Sequence, residues 1–201
     1  KALYLAKEKG KNRHIIYEER LHGKLESDDM QNMAMAYVVS KEKKREVITK
    51  MITELCVSGV NSIVKKEERL QQIRSLFDLD GITIYSESGA QLVCRNGNYM
   101  VEVPDGRGLF EDEKYLALFG DDDNFIESNT LKLRFQDPAA FAVMQKQEIG
   151  ASLQCLSRKE GVPNVIVNYD VFNRNRKWSD EDITLLTILG HCIGNLLNYS
   201  E

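Results

Sequence analysis

Hydrophobic residues recur with helical spacing over two stretches in the first part of the sequence. Apolar positions between residues 30 and 55 are spaced three or four apart, with a charged interruption at 41–46, and predict one long helix or two in series. Ser27, followed by two aspartates, is typical of an N-cap and a negatively charged first turn. A second helix with a single apolar face is predicted over about residues 66–77.

Farther along, the hydrophobic period shortens to that of β-strands. Residues 81–85 and 91–95 flank a turn-like stretch and predict a hairpin. Residues 151–157 and 162–172 predict a second antiparallel hairpin with a glycine in its turn. One more strand is predicted near residues 130–135.

Two capping signals predict further helices. Asp137 precedes Pro138, the order expected for an N-cap followed by proline in the first helical position. Ser179 begins a Ser-Asp-Glu-Asp run that resembles a capping box and predicts a closing helix. The irregular stretch 97–130 is expected to hold one short helix at about 111–119.

Composition narrows the class of protein. The 201 residues are 42% hydrophobic and 29% charged, the balance of a soluble globular protein. The net charge of −4, with both signs interspersed, provides no basic field for nucleic acid. The apolar runs are too short to span a bilayer and no secretory leader is visible, so we expect a cytoplasmic protein that does not insert into membranes.

The sequence from residue 2 to residue 17 reads ALYLAKEKGKNRHIIY. It resembles the C-terminal end of GGDEF diguanylate cyclase domains, where an A-L-Y-x-A-K-x-x-G-(K/R)-N-R segment closes the fold with a final strand. A generic amphipathic helix capped by Gly10 is the alternative. The resemblance implies that residues 1–17 are the remnant of a GGDEF domain in a longer protein. The GGDEF signature itself is absent from the chain, so we expect no cyclase activity here.

The order of predicted elements from residue 45 onward, together with Trp178-Ser179-Asp180-Glu181-Asp182 at the start of the last helix, resembles the layout of GAF domains. The resemblance implies an α+β fold: an antiparallel sheet carries the N- and C-terminal helices on one face and a ligand pocket on the other. Residues 45–201 are then a GAF-like sensory domain, and residues 18–44 a helical linker after the GGDEF remnant.

Aromatic residues of the irregular middle are the candidates for lining such a pocket, with Arg134 as a clamp for an anion. Packing in the core is the alternative role for each of them. The candidates are Tyr99, Phe110, Tyr115, Phe119, Phe125, Arg134 and Phe141.

Apolar stripes on the first and last helices of the GAF-like domain predict a homodimer, because these helices commonly form the subunit interface in dimeric GAF proteins. Packing against the chain's own sheet is the alternative. The stripe residues are Ile48, Ile52, Leu55, Leu186, Leu189, Ile193 and Leu196.

Other chemistries lack their residues in the sequence. The three histidines are scattered and residues 121–123 lack the spacing of a calcium loop, so no metal site is predicted. No base accompanies a nucleophile, and no catalytic residue is predicted. Lys132 and Phe135 lack the downstream Asp-Glu pair of cyclic-nucleotide-binding relatives, so binding of a cyclic nucleotide is not predicted. His191-Cys192 has the reverse of the cysteine-histidine order found in bilin-binding relatives, so no chromophore is predicted. The cysteines, expected reduced and mostly buried, are Cys56, Cys94, Cys155 and Cys192.

Three functions follow from these resemblances. The first is a non-catalytic sensory domain that binds a small molecule, of unknown identity, and relays the signal to an adjacent GGDEF output domain. The second is a ligand-free GAF domain that acts as a dimerisation and relay spacer. The third is an enzyme on a GAF scaffold, which would need closely placed reactive cysteines that the sequence does not contain.

Overall fold

A computed structural model describes residues 27–58, 67–95 and 105–198. The chain divides into two compact units, Lys1–Lys43 and Lys44–Glu201. The predicted GGDEF remnant at residues 1–17 lies outside the described residues, and so do residues 18–26 of the predicted linker. None of the described helices is both long and apolar enough to cross a membrane.

Six helices are described, and most begin where the sequence predicts. They are α1 (Ser27–Ser58), α2 (Glu67–Leu76), α3 (Glu113–Leu116), α4 (Leu133–Gln136), α5 (Pro138–Lys146) and α6 (Asp180–Asn198). The Asp137 carboxylate accepts hydrogen bonds from the amides of Ala139 and Ala140, which caps α5. The Ser179 hydroxyl accepts from the Asp182 amide at 3.1 Å, which confirms the predicted cap of α6.

The five described strands form one antiparallel sheet in the order β2-β1-β5-β4-β3. They are β1 (Gly81–Ser86), β2 (Gly89–Arg95), β3 (Asn124–Glu127), β4 (Ile149–Lys159) and β5 (Val162–Phe172). Both predicted hairpins are confirmed. The turn between β4 and β5 is tight, because Glu160 and Gly161 both have positive φ, as the two-residue hairpin turn requires.

The strand predicted at residues 130–135 is wrong. This stretch forms a 3₁₀ turn, Thr130–Lys132, followed directly by α4. The Asn129 side chain caps the turn by accepting a hydrogen bond from the Leu131 amide. Leu133 is buried while Leu131 and Phe135 are exposed, so the alternating apolar pattern does not mark one buried face. The third strand of the sheet lies just before this stretch, at Asn124–Glu127.

One face of the sheet is covered by α1, α2 and α6, as predicted. Strand residues that point to this face are apolar, and the helices contribute their own buried stripes to the same core. α6 approaches β4 closely, because a Cβ at Gly190 would lie 2.6 Å from Cys155 Sγ and one at Gly194 would lie 2.1 Å from Ser157 Oγ. The fold class is therefore the predicted one, an antiparallel sheet with helices on one face.

The second face of the sheet has its own, smaller core. Tyr85, Leu156, Ile166 and Phe172 from the strands pack there with residues of α3, α4 and α5. α3 lies within the predicted irregular middle and α4 and α5 follow it, and together they leave part of the face uncovered by apolar side chains. That part is the candidate site.

Candidate ligand-binding site

A cavity of about 290 Å³ lies between the second face of the sheet and the helices α3 and α5. Its volume is at the low end for small-molecule sites. Residues that line it are Tyr85, Gly106, Gly108, Leu109, Asp112, Tyr115, Ala139, Ala140, Val143, Met144, Gln147, Ile149, Gln154 and Asn168. The helices supply mostly apolar walls, and the strands supply a polar floor.

The polar floor is formed by Asn168 and Gln154, which belong to one of two rows of polar side chains aligned across neighbouring strands. Asn168 on β5 is paired with Thr83 on β1 and with Gln154 on β4. Two residues farther along β5, Asp170 is paired with Ser152 on β4 and forms the second row. All five side chains belong to buried residues. Because alternate residues of a strand share a face, these two rows lie on the side of the sheet opposite the helix-covered core.

A chain of hydrogen bonds runs from the wall of the cavity into its floor. The Tyr115 hydroxyl donates to Gln154 Oε1 at 2.5 Å, and Gln154 Nε2 donates to Ser152 Oγ at 3.1 Å. The Ser152 hydroxyl donates in turn to Asp170 Oδ1 at 2.6 Å. Helix α3 is thereby connected, through two side chains of β4, to a buried carboxyl group on the adjacent strand β5.

Burial shifts the acidity of three groups around this network. Desolvation raises the pKa of Asp170 to about 6, against smaller lowering effects of the Ser152 hydrogen bond and the charge of Arg95. Desolvation, with the nearby charge of Asp170, also raises the pKa of Tyr85 and of Tyr115 far above the usual range. Both phenols are therefore neutral hydrogen-bonding groups at physiological pH.

Two buried oxygens in these rows have no hydrogen-bond partner among the described residues: Asn168 Oδ1 and Thr83 Oγ1. Asn168 is only 6% exposed and lines the cavity, and Thr83, at 1%, lies beside it on β1. Leaving such a group unpaired costs about 1–3 kcal/mol. Among the buried side-chain atoms of the described residues that have no hydrogen-bond partner, Asn168 Oδ1 is the one on a residue that lines the cavity, so it is the strongest sign of a binding function.

The edges of the cavity are fixed by close packing. Gly106 lies against the ring of Tyr85, and a Cβ there would be 2.1 Å from the nearest ring carbon. Asp112 caps α3 by accepting hydrogen bonds from the amides of Lys114 and Tyr115. Arg95 lies over the Phe172 ring and donates to Gln147 Oε1 at 3.0 Å, so this cation is held beside the cavity lining.

The structure places the predicted pocket residues mainly in the second core. Tyr115 lines the cavity. Phe119 and Phe125 are buried in the core beside it, and Phe110 and Phe141 are partly buried against that core. Tyr99 lies outside the described residues. The prediction that Arg134 lines the pocket is wrong. Arg134 is exposed on α4 and does not line the cavity, because only Leu133 of that helix points inward.

The predicted dimer stripes are also corrected in part. Five of their residues are at most 1% exposed because they pack against the chain's own sheet: Ile48, Leu55, Leu186, Leu189 and Ile193. A side chain with no accessible surface cannot contribute area to a subunit interface. Ile52 and Leu196 are only partly buried and keep some exposed surface.

No cysteine lines the cavity. Cys94 and Cys155 are buried in the helix-covered core, Cys192 is half-buried on α6 and Cys56 is exposed on α1. All four are free thiols, and burial raises the pKa of Cys155 and Cys192. Within the described part of the chain, no group of His, Cys, Asp and Glu side chains could hold a metal ion.

Sequence reasoning missed the polar floor. Its signal is the alternation of polar with apolar residues inside predicted strands, in Ser152-Leu-Gln154 and in Asn168-Tyr-Asp170. Taken alone, the two polar residues of each strand indicate only an ordinary side of a strand that faces solvent. Only the order β1-β5-β4 brings the pairs together, and only α3 and α5 bury them.

Comparison with solved structures finds GAF domains of bilin photoreceptors. The phycocyanobilin-bound GAF domain of a cyanobacterial phytochrome superposes with a TM-score of 0.59 at 10% identity, covering 78% of this chain and 94% of that one. A biliverdin-bound domain in its far-red-absorbing dark state gives 0.58 at 14% identity, covering 77% and 98%. GAF3 of a Synechocystis sp. PCC6803 protein, in its photoproduct state, gives 0.51 at 14% identity, covering 70% and 94%.

No protein-family model matches the sequence, and no curated protein matches it either. At these low identities the structural likeness establishes the fold alone. The described domain has the GAF fold, with α1, α2 and α6 on one face of the sheet and the cavity on the other.

Proposed function

We propose that the chain is a non-catalytic sensory GAF domain of a bacterial cyclic-di-GMP signalling protein. In this proposal a small molecule binds in the cavity without a covalent bond, and the terminal helices relay its presence to an adjacent GGDEF output domain in the cytoplasm. The observation that carries the sensory part is the polar floor, with the unpartnered Asn168 at its centre.

The strands of the floor also offer a route for the signal. On β4, Gln154 faces the cavity and the next residue, Cys155, faces α6. Cys155 Sγ lies 4.0 Å from the Leu186 carbonyl oxygen, and Gly190 allows the helix to pack directly on it. A ligand that displaces β4 would therefore change the packing of α6, because close-packed interiors transmit such shifts.

The link to cyclic-di-GMP rests on the motif at residues 2–17, which resembles the end of a GGDEF domain. A sensory domain that follows such a domain would act on it through the connecting helix. Covalent attachment of a bilin, the class of chromophore bound in two of the structural neighbours, is not part of the proposal, because no thiol lines the cavity.

A homodimer belongs to the same proposal, through a different set of side chains from the buried stripes. Ile188 on α6 is 46% exposed, and Ile52 and Leu196 are partly buried. Together with half-buried Cys192 they leave an apolar strip along the outside of the helix-covered face. Such strips favour association between copies.

A second candidate, a ligand-free relay spacer, is favoured by the small volume of the cavity. Phe119 and Phe125 fill the neighbouring core, which narrows the space available to a ligand. The two candidates differ in whether any compound is retained.

Native mass spectrometry of the purified chain, compared with its denatured mass, separates them. We expect added mass that disappears on denaturation, and we expect Ala139→Trp to abolish it, because exposed Ala139 lines the cavity. Ala142→Trp is the matched control, since Ala142 is exposed on the same helix outside the lining. An unliganded wild-type chain that also binds no compound in solution would favour the spacer.

A further inference from the structure

We infer that the cavity selects an uncharged small molecule with an N–H or O–H donor that binds Asn168 and an apolar, flat body that lies between the walls. This inference rests on the proposed sensory function and deepens it, because it assigns the chemical class of the ligand.

The donor requirement comes from the floor. Asn168 lines the cavity and is only 6% exposed, and its Oδ1, itself buried, is an acceptor without a partner among the described residues. Thr83 Oγ1, beside it in the sheet register, lacks a partner as well. Gln154 Oε1 already accepts from Tyr115. A ligand gains most by donating a hydrogen bond to Asn168, because a site with a buried unpaired acceptor rejects molecules that lack the donor.

The charge requirement comes from the lining. No described residue of the lining is Lys, Arg or His, and Arg95 beside it already donates to Gln147 Oε1 and lies over the Phe172 ring, so an anion gains little counter-charge there. The carboxyl groups nearest the site, Asp112 on the wall and buried Asp170 below the floor, would repel it. A cation gains little from Asp112, which is exposed to water and already accepts two helix amides, or from Asp170, which is bonded to Ser152 and does not line the cavity. An uncharged molecule avoids the cost of moving an anion or a cation from water into the cavity.

The shape requirement comes from the walls. Leu109, Val143, Met144 and Ile149 supply apolar surface, and the rings of Tyr85 and Tyr115 border the same space. A volume of about 290 Å³ accommodates one small ring system with a short substituent. A flat aromatic or heterocyclic body with an amide-like edge satisfies floor and walls together.

Four probes of nearly equal shape test the inference: benzamide, N,N-dimethylbenzamide, benzoate and benzamidinium. Their affinities for the full chain are compared by NMR titration with methyl labels on Met144 and Ala140, which line the cavity. We expect benzamide to bind at least tenfold more tightly than the other three, with shift changes at both labelled methyls. The methyl positions locate the probe without any variant.

Variants then test the role of the floor. Asn168→Leu is expected to remove the preference for benzamide over N,N-dimethylbenzamide, and Asn195→Leu, an exposed asparagine on α6, to leave it unchanged. Thr83→Val is the second variant and should weaken the same preference while keeping or raising the unfolding midpoint.

The outcomes separate the inference from the proposed function. If benzoate or benzamidinium binds as tightly as benzamide, or if Asn168→Leu leaves the preference intact, the assigned ligand class is overturned and the sensory function stands. If no probe binds but native mass spectrometry finds a retained compound, the inference alone is overturned. If neither is found, both are overturned.

Discussion

The Ser152 hydroxyl donates a 2.6 Å hydrogen bond to the Asp170 carboxyl group, across the β4–β5 pair and beneath the floor of the cavity. Asp170 is 1% exposed, and its pKa is raised to about 6 from an ordinary value of 3.8. One hydrogen bond therefore compensates only part of the cost of burying this carboxylate.

Asp170 should make the domain less stable as the pH rises. Because its pKa is higher in the folded state, the folded chain binds more protons than the unfolded chain between about pH 4 and pH 6. Below this window the buried charge costs nothing. Above it the charge lowers the free energy of unfolding by on the order of 3 kcal/mol.

Asp170→Asn tests this effect, because its amide oxygen can still accept from Ser152. Urea unfolding should show the variant similar to wild type near pH 4 and more stable by up to about 3 kcal/mol at pH 8. A difference that does not change with pH would show that Asp170 does not titrate as described.

The sequence predicts the elements that depend on local signals. The caps of α5 and α6 are set by Asp137 and Ser179, which act within three residues, and both hairpins follow from alternation and turn residues. The strand expected at 130–135 fails because the alternating pattern there is overridden by the Asn129 cap and by burial of Leu133 alone. β3 has only four residues, too few for a period to be recognised.

The candidate site was predictable only in outline. The resemblance to GAF domains placed a pocket on the face opposite the helices, and Tyr115 was among the named residues. The floor depends on which strands are neighbours, and that is a non-local property of the sheet. The apolar stripes of α1 and α6 could serve a core or an interface, and the sequence cannot distinguish burial by the chain's own sheet from burial by a second copy.

Gly106 should be required for the shape of the cavity wall. Its φ of 80° is unfavourable for other residues, and a Cβ would overlap the Tyr85 ring. We expect Gly106→Ala to destabilise the domain by about 1–3 kcal/mol in urea unfolding. Gly108→Ala is the matched control, because a Cβ there meets no atom within 4 Å and should change stability by less than about 0.5 kcal/mol. Equal effects at the two positions would contradict this explanation.

Ile188 should decide whether copies of the chain associate. It is the exposed large hydrophobic residue of α6, so a charge there leaves the core intact and disfavours an apolar interface. We expect Ile188→Glu to convert a dimer into a folded monomer in sedimentation equilibrium. Thr184→Glu, one turn earlier on the exposed surface, gives the effect of the charge by itself. A wild-type chain that sediments as a monomer would exclude the proposed strip as an interface.

Asp182 holds together three parts of the helix-covered face. Its two carboxylate oxygens accept from Lys44 of α1 at 2.5 Å and from Arg176 at 2.9 Å. Arg176 also donates to the Phe77 carbonyl oxygen at 2.6 Å, lies over the Trp178 ring and is itself mostly buried. Burial lowers the pKa of Arg176, and the charge of Asp182 opposes that shift.

Replacing Asp182 by Asn should therefore cost about 3 kcal/mol of unfolding free energy, since it leaves two poorly solvated cations without their counter-charge. Arg45→Ala is the control: its ion pair with Glu181 spans 2.7 Å, but the Arg45 side chain is 64% exposed and its removal should cost at most about 1 kcal/mol. Urea unfolding measures both. The loss at Asp182 should also persist in 1 M salt, because buried pairs are screened less than exposed ones. A small loss, or one that salt removes, would mean that this network behaves like an ordinary surface ion pair and does not fix α1 against α6.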